Sequence, residues 1–254
     1  ENVRQTAYDM GITSHLEGFP AEGLGGTRLC CSPLEMTRAY TTINSGGWRV
    51  TPIAVKKVVL PSGRVDTSLA RRRRVKVFTD GQTSEATKAM VANVQGGTGT
   101  RAQLSGCPAA GKTGTTNDFT DAWFNGFTTA LNTAVWVGYP ESTRSMTAVP
   151  GYGAMFGGLA PAAIWHDFMA AAMSTRKCKP FPEPSEPFVA VPFFGKYATT
   201  GAPGDAVDPL ATGTTGATGP DGAKDKKGRK KDKDGKYPPN QYESPPQKAP
   251  EVEP

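Results

Sequence analysis

Histidine and cysteine are scarce in this sequence, and their scarcity argues against several kinds of site. Of the 254 residues, only two are histidine and four are cysteine. The histidines, His15 and His166, are too few and too isolated for a metal cluster or an evident Ser-His-Asp triad. The cysteines show no Cys-x-x-Cys spacing, so no zinc site is predicted. We therefore expect no metal site. No cofactor is expected either.

Long apolar runs are also absent from the sequence. No stretch is long enough to span a bilayer, and none has the pattern of a signal peptide. The chain begins with Glu1 and not with methionine, so we expect a fragment or a processed chain. The lack of a targeting segment therefore says nothing about the compartment in which the protein works.

Large aliphatic residues become rare after Thr199, where small, polar and charged residues prevail. Such a composition cannot bury enough apolar surface to offset the entropy lost on ordering. We predict a folded part over residues 1–178, a proline-rich connector over 179–199 and a disordered tail over 200–254. The basic block from Lys224 to Lys236 is more typical of a solvated tail than of a site for an anionic polymer or membrane surface. No nucleic-acid partner is expected.

Within the folded part, helix and strand patterns alternate. The clearest helix start is at Ser32, because Pro33 can occupy the first helical position and Glu35 can complete a capping box. Other helices are predicted over residues 2–10, 85–95 and 161–173, and strands over 52–60, 64–67, 108–116, 122–128 and 133–139. Short turns make the last three strands antiparallel neighbours. The predicted fold class is therefore α+β, an antiparallel sheet flanked by helices.

The most informative motif is Lys112-Thr113-Gly114, inside one of the predicted strands. A Lys-Thr-Gly motif helps to build the active sites of penicillin-binding proteins and serine β-lactamases. The two motifs that accompany it there, Ser-x-x-Lys and Ser-x-Asn, do not occur upstream of it in this sequence. Part of an acyl-transfer site is therefore predicted, without its nucleophile.

A second interpretation of the same segment is a phosphate-binding loop, because residues 106–113 match Gly-x-x-x-x-Gly-Lys-Thr. That loop works only between a buried strand and a helix, whose N-terminus holds the phosphates. Residues 99–105 are too polar for a buried parallel strand, and residues 114–120 are rich in β-branched and turn residues, which begin helices poorly. The sequence context therefore disfavours nucleotide binding.

Several stretches, in a fixed order, carry a resemblance to a known family. They are Ser32 to Tyr40, Gly96 to Ala102, Ala110 to Phe124, Ala134 to Tyr139 and Pro161 to Trp165. In this order they are similar to the transpeptidase domain of class A (bifunctional) penicillin-binding proteins, over residues 1–175. The resemblance implies the fold of penicillin-binding transpeptidases and serine β-lactamases, here incomplete, since the family's two serine motifs lie before this chain begins.

Two weaker matches do not replace the absent motifs. The segment Ser174-Thr175-Arg176-Lys177 fits Ser-x-x-Lys, but it follows Lys112 instead of preceding it, at the end of the last predicted helix, and chance explains it better. The segment Thr42-Ile43-Asn44 is a poor substitute for Ser-x-Asn and lies at a helix end. We expect the serine nucleophile to lie outside this chain.

The resemblance assigns roles to the residues of the Lys-Thr-Gly strand. Lys112 and Thr115 are expected to be catalytic, Lys112 through its positive charge and Thr115 through a backbone N–H of the oxyanion hole. Thr113, Gly114, Thr115 and Thr116 are expected to bind substrate. The hydroxyls of Thr113 and Thr115 point to the same side of a strand and could bind the terminal carboxylate of a D-Ala-D-Ala stem peptide. Gly114 would let the peptide lie close to the strand.

The implied activity is that of a serine-type D,D-transpeptidase, which cross-links peptidoglycan stem peptides through an acyl-enzyme and is acylated by β-lactams. The expected partners are stem peptides, β-lactams, the missing N-terminal half of the domain, and the membrane through a missing N-terminal part. The expected location is the extracytoplasmic face of the bacterial cell membrane, on the cell-wall side. This chain alone is expected to be inactive. The rival interpretation is a non-catalytic fragment that binds a partner or the cell wall.

The extracytoplasmic location that the resemblance implies would permit a disulfide between Cys107 and Cys178. Cys107 precedes the Lys-Thr-Gly strand, and Cys178 follows the last predicted helix. Packing of that helix on the sheet could therefore bring the two residues within bonding reach. The alternative is two free thiols, and the sequence leaves both open.

Overall fold

The computed structural model describes residues 2–26, 30–71 and 73–190. Its helices are α1 (Asn2–Met10), α2 (Pro33–Asn44), α3 (Asp80–Gly96) and α4 (Ala160–Met173). Its strands are β1 (Trp48–Val50), β2 (Val58–Val59), β3 (Val65–Asp66), β4 (Arg74–Lys76), β5 (Ala110–Thr115), β6 (Asp121–Phe127) and β7 (Asn132–Gly138). The tail predicted to be disordered, over residues 200–254, lies outside the described residues together with its basic block.

Strands β5, β6 and β7 form the central antiparallel sheet, with β6 in the middle. Lys112 of β5 lies opposite Asn125 of β6, which in turn lies opposite Ala134 of β7. All three strands lie where the sequence pattern predicted them, with small shifts at their ends. Since helices pack on both faces of this sheet, the predicted α+β fold is confirmed.

Helix α4 covers one face of the sheet, and the largest side chain that it buries there is Trp165. Trp165 is fully buried and meets the ring of Phe124 edge-on, with ring centroids 5.3 Å apart. Its indole N–H donates to the carbonyl oxygens of Gly126 on β6 and Thr133 on β7, at 3.2 Å each. The same ring therefore fills the core and contacts the backbones of two strands.

The opposite face is covered by α2 and α3. Ala110 of β5 and Phe127 of β6 are fully buried there, directly opposite each other on their strands. Met90 of α3 packs on them, with Tyr40 of α2 beside it. The sheet therefore separates two apolar layers, which fixes β5 from both sides.

Some predicted elements differ from the structure. The strand predicted over residues 52–60 is reduced to β2, an exposed hairpin partner of β3. β-branched residues favour extended backbone but do not by themselves make a strand buried. On α4, the apolar side chains of Ile164 and Phe168 are 49% and 52% exposed. They lie on the side of the helix that is not packed against the sheet.

Helix α2 starts at the predicted capping box. The Ser32 hydroxyl accepts a hydrogen bond from the Glu35 N–H, and the Glu35 carboxylate accepts one from the Ser32 N–H at 2.9 Å. That carboxylate also accepts bonds from the N–H and hydroxyl groups of Thr13 and Ser14, at 2.6 to 2.9 Å. Partial burial alone would raise the pKa of Glu35, but these hydrogen bonds outweigh it and hold the pKa well below its usual range. Glu35 therefore ties the segment after α1 to α2.

The first residues of the predicted connector, 179–190, pack back onto the folded part. Phe181 meets Phe127 edge-on, with ring centroids 5.7 Å apart. Ser185 donates its N–H and its hydroxyl to the Asp80 carboxylate at 2.7 and 2.6 Å. These bonds lower the pKa of Asp80 to about 2. After α4, the chain therefore returns to the N-terminus of α3 before the described residues end.

A disulfide between Cys107 and Cys178 is present in the structure, with their Cα atoms 5.1 Å apart. That separation lies within the range that a disulfide spans. Cys107 is buried in the cluster around Trp165, and Cys178 packs against the same cluster. The bond therefore connects the segment before β5 to the segment after α4.

We predict that removing this bond lowers the free energy of unfolding. It spans 71 residues, for which the chain-entropy model gives about 4 kcal/mol. Cys107→Ser and Cys178→Ser should each lower the urea midpoint relative to wild type. Ser105→Ala, at an exposed serine two residues from Cys107, is the control and should leave the midpoint unchanged. Peptide mapping without reductant should recover the two cysteines in one linked peptide. Two free thiols at these positions in air-oxidised protein would refute the pairing.

A second prediction concerns Glu35. Because its folded pKa is depressed, its charge stabilises the fold above the unfolded pKa of about 4.3, and this stabilisation is lost as the pH falls towards the folded value. Glu35→Gln should destabilise the protein by roughly 1–2 kcal/mol at pH 7, since an amide cannot accept all the bonds that the carboxylate does.

Urea unfolding at several pH values checks this prediction. The difference in the free energy of unfolding between wild type and Glu35→Gln should narrow as the pH falls below about 4.3. Glu17→Gln is the matched control, because Glu17 is an exposed glutamate in the same N-terminal part of the chain. A gap that stays constant down to low pH would show that the carboxylate charge of Glu35 contributes nothing.

Candidate active-site edge

Strand β5 has a free edge. It pairs only with β6 among the described strands, and the Thr116 N–H just beyond its end donates to the Asp121 carbonyl at 3.1 Å, towards β6. Backbone groups alternate between the two edges of an antiparallel strand. The N–H and C=O groups of Gly111, Thr113 and Thr115 therefore point to the free edge.

Lys112 brings a positive charge to this free edge. Its side chain is exposed, and its Nζ donates to the Thr113 carbonyl oxygen at 2.7 Å. Because that carbonyl faces the free edge, the ammonium lies on the same edge as the Thr115 N–H. The structure thus brings together a cation and a backbone donor from the two residues predicted to be catalytic.

The hydroxyls of Thr113 and Thr115 lie on one face of β5, because side chains alternate along a strand. Thr115 Oγ1 accepts a hydrogen bond from the Gly157 N–H at 3.1 Å. A hydroxyl that accepts this bond keeps its own hydrogen for a ligand. Thr113 Oγ1 lies 2.7 Å from Thr98 Oγ1. Both hydroxyls are therefore held in place by the segments that flank the strand.

The approach of Gly157 to β5 requires glycine. A Cβ at this position would overlap the Trp123 carbonyl oxygen and lie 2.6 Å from the Gly114 carbonyl oxygen. No other residue fits without moving the segment off the sheet. The loop before α4 is thereby set directly on the Lys-Thr-Gly strand, and sequence reasoning gave no signal for this contact.

Gly114 itself is explained by packing within the sheet. A Cβ at Gly114 would lie 3.2 Å from the Cβ of Trp123 on β6. The place that a side chain would take at Gly114 therefore lies against the Trp123 side chain, and this packing accounts for a glycine without a substrate. Any contact of Gly114 with a substrate would have to come from its backbone.

Thr116 is used by the turn after β5. Its Oγ1 accepts a hydrogen bond from the Asp121 N–H at 2.8 Å and lies 2.8 Å from Thr120 Oγ1. Its N–H donates to the Asp121 carbonyl oxygen. The structure therefore gives Thr116 a role in shaping the turn, and its predicted contact with substrate has no such geometric support.

Two residues without an assigned role contact the Lys-Thr-Gly strand. Asn93 of α3 donates from Nδ2 to the Gly111 carbonyl at 2.8 Å, and Thr98 contacts Thr113. Thr98 belongs to the stretch from Gly96 to Ala102 that carries part of the family resemblance, so the sequence held a signal for it. Asn93 is one polar residue on a predicted helix, and no sequence pattern distinguished it.

The other motif matches lie in settings that differ from those their motifs require. Lys112 and Thr113 lie inside β5 and not at a helix N-terminus, so the phosphate-loop interpretation is wrong. Ser174 is at the end of α4, where its hydroxyl donates to the Ala171 carbonyl at 2.7 Å. Thr42 is fully buried and donates to the Met10 carbonyl at 3.0 Å.

Two features are absent throughout the described residues. Residues 2–26, 30–71 and 73–190 contain no group of three or more side chains that could hold a metal ion. In the same part of the chain, no helix has both the length and the apolar character needed to cross a membrane.

Known proteins match this chain over most of its described length. The family model for the penicillin-binding protein transpeptidase domain matches residues 11–169. Penicillin-binding protein 1A of Mycolicibacterium smegmatis is 28% identical over 202 residues, which cover 73% of this chain and 26% of that protein. Penicillin-binding protein 1A of Aquifex aeolicus is 33% identical over 189 residues, which cover 74% and 25%.

Solved structures give the same result. The structure of PonA1 from Mycobacterium tuberculosis in complex with penicillin V matches with a TM-score of 0.61 and 27% identity, over 73% of this chain and 54% of that one. This chain spans about a quarter of the length of the two curated relatives. The family match runs from the segment after α1 into α4 and includes the whole free-edge strand. This chain therefore belongs to the penicillin-binding protein transpeptidase family.

Proposed function

We propose that this chain forms the oxyanion- and carboxylate-binding side of the active site of a serine-type D,D-transpeptidase. The complete enzyme cross-links peptidoglycan stem peptides and is acylated by β-lactams, and its serine is supplied from outside this chain. The observation that carries the proposal is the free edge of β5. There the Thr115 N–H, the Lys112 ammonium and the hydroxyls of Thr113 and Thr115 come from one short strand.

The proposed role of Thr115 follows from the chemistry of acyl transfer. Attack of a serine on the carbonyl of the penultimate D-Ala places negative charge on the carbonyl oxygen. A preorganised N–H stabilises that charge without having to reorient during the reaction. The Thr115 N–H is such a donor, because the strand fixes it towards the free edge. The terminal D-Ala then leaves, and the acyl group passes to an amine of a neighbouring stem peptide.

The proposed role of Lys112 and the threonine hydroxyls is to hold the substrate carboxylate. A stem peptide that lies along the free edge would place its terminal carboxylate near Thr113 and Thr115. Lys112 adds a positive charge at the same edge, and hydrogen bonds to an ionised acceptor are roughly twice as strong as neutral ones. The same groups would bind the carboxylate of a penicillin, which the PonA1 complex with penicillin V supports.

The proposed setting is the outer face of the bacterial cell membrane, on the cell-wall side. The membrane anchor, the N-terminal half of the domain and the serine would all come from parts of the protein outside this chain. The rival function is a fragment that binds the cell wall or a partner without catalysis. The free edge favours the enzyme, because simple wall binding has no need of a backbone donor beside a lysine.

A covalent label separates the two functions. Fluorescent penicillin should label the complete protein, and mass spectrometry should find the adduct on a serine outside this chain. This chain alone should remain unlabelled, because its nucleophile is absent. A complete protein that binds cell walls but takes no label would favour the rival, and an adduct on Ser174 would overturn our assignment of the nucleophile.

The oxyanion role of Thr115 is tested by replacing it with proline in the complete protein. Proline removes the N–H, and loss of one oxyanion donor costs about 3–4 kcal/mol, so penicillin acylation should slow by about 10²–10³-fold. The fold should survive, because this N–H makes no bond to β6. Thr115→Ser keeps both the N–H and the hydroxyl and should stay close to wild type. Near-normal acylation of the proline variant, with an unchanged melting temperature, would remove Thr115 from the site.

A further inference from the structure

A series of hydrogen bonds runs from α3 to the hydroxyl of Thr113. Asn93 Nδ2 donates to the Gly111 carbonyl at 2.8 Å. Asn93 Oδ1 accepts from the Thr98 N–H at 3.0 Å and from the Thr98 hydroxyl at 2.9 Å. Thr98 Oγ1 then lies 2.7 Å from Thr113 Oγ1. The series therefore ends at the Thr113 hydroxyl, which binds the substrate carboxylate in the proposed function.

The direction of each hydrogen follows from the fixed ends of this series. A backbone carbonyl only accepts and a backbone N–H only donates. The amide nitrogen of Asn93 must therefore face Gly111, and its oxygen must face Thr98. The Thr98 hydroxyl consequently donates to Asn93, and its oxygen accepts from the Thr113 hydroxyl. Before any ligand binds, the hydrogen of Thr113 points to Thr98.

Backbone contacts hold the Asn93 amide in this orientation. A Cβ at Gly97 would lie 2.7 Å from Asn93 Oδ1, and a Cβ at Gly99 would lie 2.8 Å from Asn93 Nδ2. The backbone N–H groups of both glycines donate to the backbone carbonyl oxygen of Asn93, at 3.0 and 3.2 Å. The glycines of this loop therefore allow its backbone to close around the amide, which leaves the two threonine hydroxyls as the groups free to turn.

The backbone before α4 fixes Thr98 from the other side. A Cβ at Gly158 would overlap the Thr98 carbonyl oxygen and lie 3.7 Å from Thr113 Cγ2. The hydroxyl pair thus lies between the loop after α3 and the segment before α4. Its spacing is set by close backbone contacts and not by long flexible side chains.

We propose that Thr98 is a positioning residue, which prepares the Thr113 hydroxyl to donate to the carboxylate of the substrate; this rests on the proposed function. When a carboxylate binds, Thr113 turns its hydrogen to it, and the Thr113 oxygen then accepts from Thr98. The bond between the two hydroxyls is kept with its direction reversed, while the Thr98 N–H still satisfies Asn93. A hydroxyl that accepts a hydrogen bond is a stronger donor, because bonds in series polarise one another.

The test replaces Thr98 with valine in the complete protein. Valine keeps the branched shape and removes the hydroxyl, so Thr113 loses its partner while the loop keeps its packing. Acylation kinetics are measured with a penicillin and with the methyl ester of the same penicillin, which has no carboxylate. Thr98→Ser restores the hydroxyl. Thr100→Val is the matched control, since Thr100 is an exposed threonine of the same loop.

Thr98→Val should slow second-order acylation by the penicillin about fivefold, the factor for one neutral hydrogen bond of about 1 kcal/mol. The loss should lie in the binding constant and not in the limiting acylation rate. Thr98→Ser and Thr100→Val should stay within about twofold of wild type. With the methyl ester, the second-order acylation rate constants of wild type and Thr98→Val should be nearly equal.

Two results would overturn the proposal. Equal or faster acylation of Thr98→Val by the penicillin would show that Thr98 does not assist Thr113. An equal loss with the penicillin and its ester would show a general structural defect unrelated to the carboxylate. Fluorescent-penicillin labelling of the wild-type protein tests the proposed function separately. A failure of the role proposed for Thr98 can therefore be told apart from a failure of the proposed function.

Discussion

Among the strands that the structure describes, β5 pairs with β6 alone, and the proposed site depends on how its other edge is filled. A free strand edge is a template for pairing with another chain. Here two of the carbonyls that face the edge already have internal donors, Asn93 at Gly111 and Lys112 at Thr113. The edge is therefore less open to another strand, while the Thr115 N–H stays available. Occupied acceptors beside an available donor favour an anionic ligand.

Close backbone contacts set the positions of the groups at this edge. The loop after α3 closes on Asn93 through Gly97 and Gly99 and reaches β5 through Thr98, and the segment before α4 reaches β5 through Gly157 and Gly158. At each of these positions a side chain would collide with backbone atoms or with the Asn93 amide. Two segments far apart in the sequence thereby converge on one strand. Their convergence holds the threonine hydroxyls at spacings that side-chain packing alone would leave loose.

Local sequence patterns predicted much of the fold. The capping box at Ser32 and Glu35 and the alternation in the three strands of the sheet are encoded within a few residues, and the structure has them where they were predicted. Burial was harder to predict, because it depends on which surface the rest of the chain covers. Ile164 and Phe168 have the composition of a buried helix face, but the sheet reaches only the side of α4 that carries Trp165.

In the site, too, short motifs predicted some residues, whereas contacts between distant segments could not be predicted. The Lys-Thr-Gly motif and its family resemblance led to Lys112, Thr113 and Thr115. The structure brings the Lys112 ammonium and the Thr115 N–H to one edge of β5, and the two threonine hydroxyls to one face. The contacts made by Asn93, Thr98 and Gly157 join residues that are 15 to 42 positions apart in the sequence. Thr98 lies in a stretch that carries the family resemblance, but no periodicity or short motif shows which residue it contacts. Such a contact becomes visible only when the loops have been placed on the sheet.

The disulfide between Cys107 and Cys178 has a consequence for proteolysis. It closes a covalent ring that contains β5, β6, β7 and α4. The segment over residues 139–145 is exposed along its whole length, and exposed loops are where proteases cut first. A nick there would leave both products attached through the ring, so the strand and the helix would stay on one molecule until a reductant released them.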